Sequence, residues 1–343
     1  MSKQSGSLRR YILTRIALAI PMVLILLVLV FVMMRVAPGD PIAASQGGKL
    51  SAAQLAAKRH AAGFDRPLYE QFWEYLKSVA TLNFGTTFSD NLSVRQVIIQ
   101  RGGATLSLSF GALIVAGVIG IPLGLVAGRF RDRGIDVASR LFAIITYAAP
   151  AFVLGLLAQL AFGPNGLGLL PSSGQSSVMV GLEVPTQTHI LILDAALAGD
   201  WSAVGDIAQH LVLPSVTLGL IIVGVFIRMI RVNVIQTLQG DYVEAARARG
   251  IKETAVVTKH AFRNALVPVV TVLGLQVAML LGGSVLTEET FNWQGIGQAL
   301  IQYINARDYA AVQGIVTVFA LVVVVISMLI DFVNALIDPR VRY

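Results

Sequence analysis

Long apolar segments alternate with polar ones along this chain, and the apolar segments decide its fold class. A helix needs roughly 20 residues to cross about 30 Å of hydrocarbon. Six segments are close to or above that length and contain no Asp, Glu, Lys or Arg. The pattern therefore predicts an all-α polytopic membrane protein with six transmembrane helices. In chain order the predicted spans are Ile16 to Met34, Gly103 to Ala127, Leu141 to Phe162, Leu211 to Ile227, Ala265 to Thr287 and Ala310 to Ile330.

Positive charge is distributed unevenly over the segments that join the spans. Four Lys and Arg residues precede span 1, four follow span 2 and seven follow span 4, whereas residues 163–210 contain none. Because Lys and Arg in short loops are retained on the cytoplasmic side, both termini and the loop after span 4 are predicted to be cytoplasmic. The loop between spans 1 and 2 exceeds the ~60 residues over which this rule operates, and we place it outside as a small cap.

The composition agrees with a membrane protein. The chain is 55% hydrophobic and 13% charged, and the charged share of a soluble domain is about 25%. The absence of cysteine excludes disulfides, thiolate metal sites and cysteine nucleophiles. The net charge of +7 follows the topology instead of forming one patch, so binding of nucleic acid is not predicted.

The sequence lacks the motifs of an enzyme or of a transporter that powers itself. It contains no phosphate-binding loop, no His-Glu-x-x-His and no Gly-x-Ser-x-Gly. Its four histidines are scattered over three loops, so neither a catalytic nor a metal site is predicted. No ionisable residue lies within a span, which removes the usual sign of proton relays and ion-coupled carriers. The source of energy is therefore predicted to lie on another polypeptide.

The polar stretch after span 4 carries the most informative motif. Tyr242, Ala245 and Arg249 share helical spacing. Gly250 can adopt the left-handed conformation that ends a helix, because it has no Cβ to clash. A second helical run follows and leads back to apolar sequence, so two short helices joined by a turn are predicted between two spans.

This stretch resembles the cytoplasmic coupling loop, the "EAA" motif, of ABC importer permeases. The run from Glu244 to Ala246 and Gly250 match the motif, and Pro268 stands near the start of the next span. The interval between Gly250 and Pro268 is longer than in the general motif and looks like the peptide-importer branch. Other segments resemble the same branch in the same order along the chain: Arg35 to Pro41, Asp65 to Phe72, Phe291 to Gly297 and Asp338 to Arg340.

The resemblance implies a type I ABC importer permease fold that works by alternating access in the bacterial plasma (inner) membrane. It implies two separate ATPase subunits, which hold ATP and Mg, together with a second homologous permease chain and an extracytoplasmic substrate-binding protein. No cofactor is expected in this chain. The residues that the motif assigns to docking on an ATPase are Asp241, Tyr242, Glu244, Ala245, Ala246, Arg247, Arg249 and Gly250.

Topology and resemblance together divide the chain into segments with separate roles. A permease core follows an external cap, and the core contains the coupling loop. The predicted segments are a cytoplasmic or interfacial stretch (1–15), span 1 (16–34), the external cap loop (35–102), the core of spans 2 to 6 (103–330) with the coupling loop (228–264), and a cytoplasmic tail (331–343).

The cargo implied by the resemblance is a dipeptide or oligopeptide. Nickel and glutathione importers share the architecture and stay open as alternatives. A stand-alone secondary transporter or an intramembrane protease would be a different class of protein. The first is disfavoured by the absence of charge within the spans, and the second because His260 is predicted to lie in a cytoplasmic loop and not in the bilayer.

Individual residues within the spans, and one at the outer end of span 5, give three further expectations. Gly120, Gly124 and Gly128, at intervals of four in span 2, are expected to let another helix approach closely. Pro150 is expected to kink span 3. The candidates for lining a transport pathway are Gln159, Gln276, Ser284 and Glu288.

Overall fold

The computed structural model describes residues 3–36, 51–61, 63–262, 276, 279–280 and 282–337. This described part is mostly helical and contains no named β-strand. In chain order the helices are α1 (Lys3–Val36), α2 (Ala52–Ala61), α3 (Leu68–Ala80), α4 (Val94–Arg129), α5 (Gly134–Ala148), α6 (Ala151–Phe162), α7 (Val178–Glu183), α8 (Leu191–Leu197), α9 (Trp201–Thr237), α10 (Asp241–Ala248), α11 (Glu253–Ala255) continuing as a π-helix (Val256–Ala261), α12 (282–290), α13 (Ile296–Asn305) and α14 (Tyr309–Ile337).

The long helices coincide with most of the predicted spans. Among the described residues, four helices are long and apolar enough to cross a membrane, namely α1, α4, α9 and α14. They contain predicted spans 1, 2, 4 and 6, and span 3 corresponds to the pair α5 and α6. Most of predicted span 5 lies outside the described residues, as does the Asp338 to Arg340 motif, and α12 follows on from that span. The mostly helical membrane fold is thus confirmed, and the number of six spans stays a prediction.

The kink predicted in span 3 is a complete break between two helices. The axes of α5 and α6 differ by 106°. Ala149 has an extended backbone with φ −76° and ψ 132°, because the ring of a following proline disfavours the helical conformation. Pro150 also lacks the N–H that would continue the hydrogen-bond ladder of the helix. Span 3 therefore consists of two helices with different directions.

The centre of the fold is the pair α4 and α9, which pack along most of their length. Glycine on α4 makes this contact possible. A Cβ built on any of three glycines would lie 2.6 to 2.8 Å from a side-chain carbon of α9, closer than the 3.4 Å at which ordinary contact begins. The predicted close approach is confirmed, and the constant register shows that the helices are parallel. The pairs are Gly120 with Phe226, Gly124 with Ile230 and Gly128 with Val234, each partner lying 106 positions further along the chain.

The helix α5 packs on another face of α9 and runs antiparallel to it. A Cβ on Gly224 of α9 would lie 2.6 Å from the carbonyl oxygen of Ala143. Seven residues back along α5 and seven forward along α9, Asp136 is hydrogen-bonded to Arg231. With α4 parallel and α5 antiparallel to α9, the helix directions alternate as predicted for consecutive spans 2, 3 and 4.

The helix α3 fastens the predicted cap to the first and last long helices. The ring of Tyr75 stacks on Phe31 of α1 with centroids 5.8 Å apart, and its hydroxyl lies 2.7 Å from Thr317 Oγ1 of α14. Arg35 at the end of α1 donates from Nε to Gln71 Oε1 at 2.8 Å. The helix α3 thus packs on the ends of two membrane helices.

Candidate functional site

The helix α10 runs from Asp241 to Ala248 and ends before Gly250, as predicted. Gly240 precedes it with extended backbone, and the Gly240 carbonyl accepts from the N–H of Val243 at 2.8 Å. Asp241 and Glu244 lie in the first turn, where the helix dipole favours negative charge. Gly250 has φ +73°, and an added Cβ there would meet nothing within 4 Å. Backbone conformation, and not lack of space, therefore requires glycine at the end of this helix.

One face of α10 is buried against the chain itself. Val243 is 0% exposed and Ala246 4% exposed, and both pack with Val256 of the π-helix, Leu238 and Ile251. Ala246 was predicted among the docking residues, but its side chain points away from solvent and holds the helix in place. The predicted docking residues that do lie exposed are Asp241, Tyr242, Glu244, Ala245, Arg247, Arg249 and Gly250.

An ion pair closes the turn between α10 and α11. Arg247 donates to the carboxylate of Glu253 from Nε at 3.1 Å and from Nη2 at 2.8 Å. These hydrogen bonds hold the pKa of Glu253 below its ordinary value and raise the pKa of Arg247. Glu253 was missed by sequence reasoning, although opposite charges on either side of Gly250 were a usable signal. The pair fixes the side chain of Arg247 within this chain.

The segment that contains α10 is attached to two of the long helices. It follows α9 after a turn of three residues, and α9 itself is unbroken to Thr237. Val256 and Val257 of the π-helix are 0% and 3% exposed, and Val257 belongs to the same apolar cluster as α4 and α9. Arg129, the last residue of α4, donates to Thr254 Oγ1 at 3.4 Å. The exposed face of α10 is therefore presented on a segment packed against the bundle.

Three of the four candidate pathway residues make hydrogen bonds within the chain. Gln159 donates from its amide nitrogen to the carbonyl oxygens of Ser172 at 2.8 Å and Thr290 at 2.9 Å, which ties α6 to the loop after it and to the end of α12. Ser284 is 0% exposed, and Gln276 is half-buried. The structure brings Ser284 together with Glu288, and their role in transport stays a prediction.

Glu288 lies in a closed hydrogen-bonding cage with no exposed surface. Its carboxylate accepts from Thr105 Oγ1 of α4 at 2.8 Å and from the backbone N–H of Gln298 at 2.9 Å, and Ser284 also donates to it. A Cβ on Gly295 would lie 2.3 Å from one carboxylate oxygen, so that glycine makes room for the cage. The cage joins the start of α4 to the segment that follows α12, a link the sequence alone did not indicate.

Comparison with known proteins gives a family and close relatives. The family model described as "Binding-protein-dependent transport system inner membrane component" matches residues 120–343. A companion model for the N-terminal part of such membrane components matches residues 8–109. Together the two models extend over most of the chain.

Among curated proteins, the chain is similar to permease proteins of named transport systems. It is 36% identical over 333 residues to "Glutathione transport system permease protein GsiC" of Salmonella typhi, covering 97% of this chain and 99% of the relative. It is 35% identical over 334 residues to "Di/tripeptide transport system permease protein DppB" of Pseudomonas aeruginosa, covering 97% and 98%. The Escherichia coli K12 GsiC protein is 34% identical over 333 residues, with coverage of 97% and 99%.

Proposed function

This chain belongs to the family of binding-protein-dependent transport system inner membrane components, and from this premise we propose a role for each part of the transporter. The chain is a permease subunit of an ABC importer in the inner membrane, and such membrane components are not themselves enzymes. Importers of this family work with ATPase and substrate-binding partners. In our proposal, ATP and Mg are held by two ATPase subunits, and a second homologous permease chain completes the membrane part.

The exposed face of α10 is the surface that we assign to docking on an ATPase subunit. The observation that carries this assignment is the contrast between its two faces: Val243 and Ala246 are buried in the chain, whereas Tyr242, Glu244 and Ala245 face outwards. Because α10 is anchored in this way, a force applied to its exposed face is transmitted to α9 and α4. Docking at this surface then drives alternating access in the spans.

The docking assignment is tested by purification of the whole transporter through a tag on this chain. Glu244→Lys reverses the charge of an exposed residue on α10, and we expect it to abolish co-purification of the ATPase subunits and uptake. Arg131→Glu is the matched control, because Arg131 is also exposed and lies on the neighbouring turn between α4 and α5. Normal co-purification of both variants would contradict the docking role of this face.

We also propose six spans with both termini in the cytoplasm. The alternation of α4, α5 and α9 supports this order, and the distribution of Lys and Arg supports the orientation. A topology reporter fused near Gly181 is expected to read external, and one fused near Arg249 cytoplasmic. The reverse pair of readings would refute the orientation and, with it, the assignment of α10 to the ATPase side.

We propose a small peptide as the cargo, with dipeptides, tripeptides and glutathione as the first compounds to test. The names of the relatives support this class, because they include a glutathione permease and a di/tripeptide permease at 36% and 35% identity. Glutathione is itself a tripeptide, so both names describe one chemical class. Uptake of labelled dialanine, trialanine, glutathione and nickel by cells with and without this chain decides between them, and uptake of nickel alone would refute the peptide proposal.

A further inference from the structure

The end of the bundle nearest α10 contains an enclosed carboxylate, that of Asp136. Arg231 binds it with two N–H groups, from Nε to Oδ1 at 2.6 Å and from Nη2 to Oδ2 at 2.8 Å. The backbone N–H of Asp132 donates to Oδ2 at 2.9 Å. The side chain of Asp136 is 0% exposed and that of Arg231 17% exposed. A second cation, Arg140, lies one turn along α5 with its Nε 3.6 Å from Oδ1 and with 47% of its side chain exposed. Arg231 makes the shielded bidentate contact, the geometry in which charge-assisted hydrogen bonds are strongest and most directional.

The pair joins two antiparallel helices at a defined distance from their other close contact. Asp136 lies in the first turn of α5, and Arg231 lies near the end of α9. Their second contact, between Ala143 and Gly224, is seven residues away on each helix, which is about 10 Å at 1.5 Å per residue. The first turns of α5 are therefore held to α9 by this ion pair and not only by packing further up the helix.

The helix α9 carries the coupling helix directly beyond this point. It continues unbroken from Arg231 to Thr237, a rise of roughly 9 Å, and α10 begins after the short turn that follows. Because an intact helix is displaced as a unit, movement of α10 along or across the bundle displaces Arg231 as well. At its other end α5 makes its last helical hydrogen bond from the Ala149 N–H to the Ile145 carbonyl at 3.1 Å, and Pro150 has no N–H with which to continue the ladder. The first turn of α5 is thus bound to α9, and the angle between α5 and α6 can change at the break before Pro150.

We propose that the Asp136–Arg231 pair is a positioning contact that makes the first half of span 3 follow the coupling helix during transport. The inference rests on the proposed docking of α10 on an ATPase. It adds a specific path: a movement imposed on α10 reaches α9 through the chain and reaches α5 through this pair. Without the pair, α9 moves and α5 lags behind.

The complete transporter allows a direct test, because this chain contains no cysteine. Ile135→Cys on α5 and Val232→Cys on α9 place two spin labels on side chains that are 48% and 41% exposed. Pulsed electron paramagnetic resonance then measures their separation without nucleotide and after trapping with ATP and vanadate. We expect the separation to stay constant in the otherwise unchanged chain, because both helix ends move together. We expect it to change on trapping in Asp136→Asn, which leaves Arg231 without an anionic partner.

The matched control is Asp132→Asn, the same chemical change four residues earlier, in the turn between α4 and α5. The Asp132 carboxylate is 67% exposed and pairs with Arg131, while the hydrogen bond from Asp132 to Asp136 uses the backbone and survives the substitution. We therefore expect Asp132→Asn to keep a constant separation. A constant separation in Asp136→Asn as well, or an equal change in the control, would overturn the proposal.

Transport measurements separate positioning from a merely structural role. In proteoliposomes with the probes dialanine and glutathione, we expect Asp136→Asn to lower uptake per ATP hydrolysed roughly tenfold, with the ATPase subunits still bound. Asp136→Glu keeps an anion opposite Arg231 and Arg140 and is expected to retain part of the coupling. Loss of the ATPase subunits from Asp136→Asn, or coupling no better in Asp136→Glu than in Asp136→Asn, would refute the proposal. Failure of the unchanged chain to bind ATPase subunits would refute the docking assignment instead.

Discussion

The glycine contact between α4 and α9 allows a quantitative test of how the core is held together. A Cβ at Gly124 would lie 2.7 Å from Ile230 Cβ and 3.2 Å from the carbonyl oxygen of Ile227. Restoring ordinary contact at 3.4 Å requires a shift of roughly 0.7 Å, and backbone atoms must take part in it. Overpacking of this kind costs about 1–3 kcal/mol. Gly124→Ala is therefore expected to lower the free energy of unfolding through this clash.

A second glycine of the same helix provides the reference. A Cβ at Gly117 would have only Ile121 Cδ1 within 4 Å, at 3.9 Å, which is ordinary contact. Both substitutions gain the higher helix propensity of alanine, worth about 1 kcal/mol, so this gain cancels when the two variants are compared. Gly124→Ala is expected to be less stable than Gly117→Ala by about 1–3 kcal/mol.

The assay is reversible unfolding of the purified chain in mixed micelles with increasing dodecyl sulfate, followed by the loss of helical circular dichroism. Gly124→Leu extends the series, and we expect a larger loss of stability because its side chain must displace Ile230. Equal stability of Gly124→Ala and Gly117→Ala would refute the reasoning. It would mean that α4 and α9 can separate at little cost and that close approach is not what stabilises the pair.

Three further predictions concern the coupling helix and the Glu288 cage. Gly250→Ala forces a Cβ into a left-handed conformation at φ +73°, which costs roughly 1–2 kcal/mol; we expect weaker co-purification of the ATPases than with Gly134→Ala, where the added Cβ also meets open space. Glu288→Ala leaves Thr105 and the N–H of Gln298 without their acceptor in a closed space and is expected to cost about 1–3 kcal/mol in thermal unfolding, whereas an unchanged melting temperature would contradict the cage. Arg247 lowers the pKa of Glu253. The stabilisation by their ion pair is therefore fully present above the pKa of a glutamate in the unfolded chain, about 4.3, and is lost only as the pH falls through the lower pKa of Glu253 in the folded chain. The ratio of ATPase retained by the unchanged chain to that retained by Glu253→Gln should thus stay constant from pH 8 to pH 5.5, and a fall within that range would contradict the pairing.

Features that depend on local sequence were predictable. The helix α10, its end at Gly250 and the close approach at Gly120, Gly124 and Gly128 follow from helix periodicity and from the absence of a Cβ. The positions of the apolar spans also follow from composition, since a run of about 20 uncharged residues has few other uses. In each case the signal is a residue type or a pattern within one continuous segment of the chain.

Features that depend on distant partners were not predictable. The enclosure of Glu288 depends on Thr105, which lies 183 residues earlier in the chain. Asp136 and Arg231 are 95 residues apart, and neither belongs to a motif of the sequence. The inward position of Ala246 also needed tertiary information, because the motif alone does not say which face of α10 meets the rest of the chain. Such pairings become visible only when the helices are placed side by side.

The three glycine contacts between α4 and α9 share one offset of 106 residues. This shared offset indicates which parts of the chain tolerate a change in length and which do not. One inserted residue within either helix would rotate everything beyond it by about 100°. The glycines of α4 beyond the insertion would then no longer face their partner side chains on α9. Within the connection between the two helices, the turn at residues 164–169 is exposed. A tag inserted in that turn would change the number 106 and leave the contact between α4 and α9 as it is.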